Sequence, residues 1–236
     1  MSNEYVSRDE LTKKRTPSEL HNWVEWKIKQ ISSTENGLRA LRRNEGRLVK
    51  KLQEEVYPLA LFGFRKFGNT DKILLQSNIG NQSYDAVITD LRNKPVSQSY
   101  VEITQSHEGE SDYLRNVVLD EQGYVFAYSP VHKTGTKKTG RRVSIPAEAS
   151  EVGKIASKEL ENIIDAAKRK AGKNHPASTS LLLVFKDDFS FRRVIGDSDL
   201  DAFVKERILK LDLRFSKLYL LGWHSVFREF SLGDAT

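Results

Sequence analysis

Tyr84 to Gln105 reads YDAVITDLRNKPVSQSYVEITQ, two runs of β-branched and aromatic residues joined by a polar turn, each with one carboxylate among apolar neighbours. Asp85 opens the first run, Asp85-Ala86-Val87-Ile88, and Glu102 lies inside the second, Tyr100-Val101-Glu102-Ile103-Thr104. Side chains alternate between the faces of a strand, so Glu102 and Thr104 share one side while Val101 and Ile103 take the other. Two explanations fit a carboxylate in such a strand. One is a face open to water; the other is a pair of strand carboxylates that together hold a divalent cation through hard oxygen ligands.

Upstream, Lys72-Ile73-Leu74-Leu75-Gln76-Ser77 predicts another short strand, and the Asn- and Gly-rich run 78–83 a turn, so three strands follow one another. Before them, Leu38, Leu41, Leu48, Leu52, Val56 and Leu59 recur at helical spacing, with Arg43, Arg47 and other basic residues over the remaining surface. That surface is either a solvated helix face or one that meets phosphates. Glu54 and Glu55 lie near its end, before Tyr57-Pro58. Thr16-Pro17-Ser18-Glu19 has the form of a helix start, with Thr16 as cap, Pro17 at the first helical position and Glu19 reaching back. Residues 1–15 are polar and of mixed charge, which predicts a flexible leader. The helical arm then covers about 16–62.

Downstream, Tyr113 to Leu119 predicts one or two helical turns. Gly123–Tyr128 and Arg142–Ile145 flank a basic, glycine-containing segment, which predicts a β-hairpin inserted over about 123–145. It lacks the spacing of a P-loop, and is either a plain loop or an arm along a nucleic-acid backbone through Lys133, Lys137, Lys138, Arg141 and Arg142. Tyr124, Phe126 and Tyr128 alternate there and are candidates for stacking on bases. Residues 146–172 predict a helix with Ile155, Ala156, Ile163 and Ala167 on its buried face; Lys154 and Lys158 fall on the opposite side. Ser180–Phe185 and Lys217–Trp223 predict buried strands, with a helix between them through Leu200, Val204 and Ile208. Residues 16–236 therefore make one domain.

The charge balance, +6 with a pI near 9.3, favours a polyanionic partner. The absence of cysteine excludes disulfides, zinc–thiolate sites and thiol nucleophiles. No apolar run approaches the ~20 residues of a membrane span, and the N-terminus lacks a signal-peptide core, so a cytoplasmic location is expected. The five histidines are scattered without metal-ligand spacing, and no Gly-x-Ser-x-Gly elbow is present. Asp187-Asp188, after a buried strand, is either a metal site or an ordinary strand-end pair.

Helix, three strands, helix, strand, with Asp at the head of the second strand and Glu in the third, resembles the PD-(D/E)XK nuclease superfamily over roughly Leu38 to Trp223. The resemblance implies a restriction-endonuclease-like α/β fold: a mixed central sheet in an α-β-β-β-α-β core, here with N-terminal helices and an inserted basic β-hairpin. It implies Asp85 and Glu102 as ligands of Mg²⁺ or Mn²⁺, with Glu55, or else Glu54, added from the helix. Thr104 stands where that family carries lysine. A hydroxyl can position a water but brings no positive charge; Lys94 and His107 lie in loops within reach. The expected function is metal-dependent hydrolysis of phosphodiesters, DNA ahead of RNA. The alternatives are a non-catalytic nucleic-acid-binding or scaffold protein on the same fold, or an interaction protein that dimerises through its N-terminal helices.

Overall fold

The computed structural model describes residues 5–92, 94–107, 109–135 and 142–232. α1 (Arg8–Thr12) starts on a capping box between Ser7 and Glu10, and α2 (Pro17–Ser32) on another between Thr16 and Glu19. Residues 5–15 do not form the expected flexible leader. Val6 and Leu11 are buried in the core, and the Arg15 guanidinium lies 4.1 Å over the ring of Trp23. Arg15 also exchanges backbone hydrogen bonds with Leu75, at 3.1 and 2.8 Å. Polar composition hid this docking, because two apolar side chains and one cation–π contact anchor the segment over an otherwise open sheet edge.

α3 (Glu35–Arg42) is separated from α4 (Arg47–Lys51) by a turn in which Asn44 and Gly46 take positive φ, 51° and 88°. The single helical pattern from Leu38 to Leu59 is interrupted there. α4 continues through a π turn, Leu52–Val56, into α5 (Tyr57–Phe67). Pro58 sits inside this continuous helix, and the π turn precedes the position where its missing N–H and its ring would disturb a regular helix.

β1 (Ile73–Ser77), β2 (Ala86–Asp90) and β3 (Ser97–Gln105) follow. α6 (Glu110–Gln122) is longer than the one or two turns expected, and ends on Gly123 at φ 78°. β4 (His132–Thr134) and β5 (Arg142–Ser144) form a small antiparallel pair. Gly123–Tyr128 is not a strand of that hairpin: Tyr128 bonds through its hydroxyl to Asp188, and Ser129 engages Glu148, which draws the segment against the domain as a loop. α7 (Val152–Lys168) starts later than residue 146 because 146–151 is held in that same arrangement. β6 (Thr179–Phe185), α8 (Phe189–Val194), α9 (Asp197–Phe203) with a π turn at Val204–Ile208, β7 (Lys217–Gly222) and β8 (Phe227–Ser231) complete the chain.

The central sheet has six strands in the order β1-β2-β3-β6-β7-β8. β3, β6 and β7 run parallel and the other pairs antiparallel, so the fold is α/β with a mixed sheet. Leu182 and Val184 of β6 face a core built with α1 to α5, whereas Leu181, Leu183 and Phe185 face a second core built with α7 to α9. Burial of β6 on both faces explains its unbroken apolar run. Leu20, Val24, Leu52, Val56 and Leu59, the apolar positions of the N-terminal helices, lie in the chain's own first core. Among the described residues no helix is long and apolar enough to cross a membrane.

Candidate active site

The register Ala86↔Val101 places Asp85, one residue before β2, across from Glu102. Val101 and Ile103 are buried in the first core, so Glu102 and Thr104, both buried, face the other way as alternation predicts. β2 stops pairing here, and β3 from Glu102 to Gln105 pairs only with β6. At this fork the Asp85 amide donates to the Val101 carbonyl at 2.9 Å, and the Ile103 amide donates to Asp85 Oδ2 at 2.8 Å. The Asp85 carboxylate is thereby fixed against β3. Burial and the neighbouring charge of Glu102 push its pKa above the ordinary value, against the Ile103 N–H and the ammoniums of Lys170 and Lys51.

Glu55 approaches from the π turn. Of the two helix candidates it is the one beside Asp85, since Glu54 pairs with Asn44 and Lys50 instead. Burial, then the Asp85 charge, raises the Glu55 pKa to about 7, with Lys51 opposing. Lys51 Nζ bonds Glu55 Oε1 and lies 4.0 Å from Asp85 Oδ1. Glu55 Oε2 is buried without a hydrogen-bond partner among the described residues. A buried carboxylate oxygen lacking a donor is a costly feature that a ligand or cation would satisfy.

Lys170, in the turn after α7, bonds Glu102 Oε1 through Nζ. Its neighbour Arg169 donates to the Gln105 carbonyl at 3.0 Å, so two successive basic residues grip the end of β3. Lys154, on the side of α7 opposite its buried face, is exposed and pairs with the cap residue Glu151 at 3.1 Å. A signal for Lys170 existed. A crossover helix between parallel strands ends above the start of the second strand, here β6, whose Leu181 pairs with Glu102.

No family model, curated protein or solved structure matches this chain. The chemistry is therefore read from the site itself. Oxygen donors from Asp85 and Glu102 suit a hard divalent cation, and Mg²⁺ is commonly held by one or two carboxylates with water and substrate phosphate filling the rest. Among the described residues no group of three or more His, Cys, Asp or Glu side chains stands ready to hold a metal ion, and Asp85, Glu102 and Glu55 together do not form one.

A cleft of about 920 Å³ opens at the carboxyl ends of β3, β6 and β7, where open α/β sheets take their ligands; Gln53, Glu54 and Gln105 line it, and Asp85, Glu102 and Glu55 do not. Its walls include Arg43, Lys50 and Lys186 together with Tyr57, Tyr113 and Trp223. Arg43 thus lies in the cleft, while Arg47 is exposed in the first turn of α4. Lys133 is on β4, paired with Glu110 at 2.6 Å, and Arg142 is exposed on β5. Lys137, Lys138 and Arg141 lie outside the described residues, as does Asn93 in the turn before β3. Asp187 is fully buried and accepts the backbone N–H groups of His224, Ser225 and Val226 at 2.7 Å each, while Asp188 caps α8. Both act as structural acceptors.

Proposed function

We propose that this chain is a metal-dependent nuclease of the PD-(D/E)XK type, built on a restriction-endonuclease-like core, that hydrolyses phosphodiester bonds, DNA ahead of RNA. The observation that carries the reading is the juxtaposition of Asp85 and Glu102 across the β2–β3 fork, with the half-buried Glu55 beside Asp85. Adjacent strands hold such ligands rigidly, as the geometry of phosphoryl chemistry requires. Magnesium or manganese held there would stabilise charge on the attacked phosphate and lower the pKa of a bound water. Glu55, with its pKa near neutrality, is placed to take up and release a proton. Lys170 brings to Glu102 the ammonium that Thr104 cannot supply, and the Thr104 hydroxyl is left to orient a water.

The test is cleavage of plasmid and single-stranded DNA with Mg²⁺ or Mn²⁺ by the wild type, Asp85→Ala and Glu102→Ala. Metal-dependent cutting lost in both variants supports the reading, and cutting unchanged in either one removes the site. The ion pairs of Lys51 with Glu55 and Lys170 with Glu102 favour a second reading, in which the carboxylates are already compensated and the chain binds nucleic acid without cutting it. Binding that weakens steeply with salt, with no cutting in any metal, would select it.

A further inference from the structure

We propose that the cleft at the carboxyl ends of β3, β6 and β7 binds a single-stranded nucleic-acid segment with its bases unstacked, an inference that rests on the nucleic-acid reading above and narrows its substrate class. Charge is the first support. Arg43, Lys50 and Lys186 stand in the walls of the cleft, paired with Asp120, Glu54 and Asp112, and the lining keeps a basic surplus, with Arg42, Arg43, Lys50, Arg115 and Lys186 against Glu54 and Asp112, that suits a phosphate backbone.

Aromatic lining is the second. Tyr57 and Trp223 form a tilted pair, ring centroids 5.4 Å apart, on one side, and Tyr113 of α6 is on the other, 48% exposed. Such rings receive the faces of unstacked bases and discriminate little between them. A duplex offers only base edges in its grooves and would leave them unused.

Size is the third. The cleft's 920 Å³ is within the ~300–1,000 Å³ of pockets that enclose small ligands, room for a few nucleotides and not for the breadth of a duplex. Its walls are tied together, because Arg42 and Arg43 of α3 bond Asp120 of α6 at 3.0 and 2.6 Å, with Asp120 only 11% exposed.

Position is the fourth. Lys50, Gln53 and Glu54 line the cleft, whereas Lys51 and Glu55 from the same turns face Asp85. α4 and its π turn therefore form the partition between the cleft and the carboxylates, so a strand held in the cleft lies one helix away from Asp85.

The test measures binding of labelled oligo(dT) and oligo(rU) of about 12 nucleotides, within the ~4–16-nucleotide range of such sites, and of a blunt duplex of equal length, all in EDTA so that nothing is cut. The expected result is at least tenfold tighter binding of one or both single strands than of the duplex. Tyr113→Ala should weaken single-strand binding about tenfold without changing its salt dependence. Lys50→Ala should lower the slope of log K against log salt by about 0.7. Both side chains are exposed, Lys50 by 58%, so both variants should fold. Equal affinity for duplex and single strands, or single-strand binding untouched by both substitutions, overturns the proposal. Single-strand binding without cutting in any metal would leave the cleft standing and remove the nuclease reading. Cutting of duplex with no preference for single strands would do the reverse.

Discussion

Gln105 of β3 donates from Nε2 to the backbone carbonyl of Glu54 at 3.0 Å, the acceptor that the N–H of residue 58 would reach in a regular helix and that Pro58 cannot. A side chain from the strand that carries Glu102 thus completes the helix that carries Glu55, and the two halves of the site are fixed to one another. Gln105→Leu should keep the packing but leave that carbonyl unpaired. The expected cost is about 1–2 kcal/mol of stability, read as a lower urea midpoint with unchanged slope. If the two halves depend on this bond for alignment, cutting should fall by more than stability does.

Asp187 should behave as a structural residue despite its position at the end of a parallel strand. Asp187→Ala strands three backbone N–H groups in the turn that leads into β8, and a loss of about 3 kcal/mol or more is expected. Mg²⁺ should shift the melting temperatures of the variant and the wild type alike. A metal response present in the wild type and absent from the variant would reinstate Asp187 as a ligand.

The strands and their carboxylates were legible in the sequence for local reasons. Period-2 alternation around Glu102 and the unbroken apolar run of β6 each reflect burial of a single element, and residues within a few positions carry that signal. Lys170 was not legible in the same way. It meets Glu102 across 68 residues, and only the return of the crossover helix brings them together. α8 and β8 escaped because a six-residue helix and a half-exposed edge strand, Phe227-Arg228-Glu229-Phe230-Ser231, carry too little periodicity to be distinguished from loop. The docking of residues 5–15 rests on a few long-range contacts that composition does not reveal.

Glu55 predicts a pH dependence with a definite sign. Its folded pKa of about 7 lies above the ordinary 4.5, so between these values the folded state holds more protons than the unfolded chain. The associated stability is fully present below about pH 4.5 and is lost as pH rises through 7. Glu55→Gln removes the titration. The difference in unfolding free energy between variant and wild type should drift by about 3 kcal/mol in favour of the variant from pH 4.5 to 7.5. Equilibrium denaturation across that range measures it, and a flat difference would mean that Glu55 is not held near neutrality.

Lys170 and Glu102 should prove coupled in stability as well as in activity. Lys170→Met leaves Glu102, nearly buried and beside Asp85, without its cation. Removing one partner of a buried pair costs more than removing both, so the single variant should lose about 2 kcal/mol at pH 8 and the double variant Lys170→Met/Glu102→Gln less, with a coupling of roughly 1–3 kcal/mol. The loss in the single variant should shrink as pH falls and Asp85, whose pKa is raised by burial and the Glu102 charge, takes up a proton. On the metal reading it should shrink also on adding Mg²⁺, because a cation held by Asp85 and Glu102 would replace the missing ammonium. Rescue of stability by Mg²⁺ with cutting still reduced about 100-fold would separate the two roles proposed for the lysine: a metal would supply the charge that Glu102 faces in the fold, but not the second positive group that a reacting phosphate would need where Thr104 supplies none.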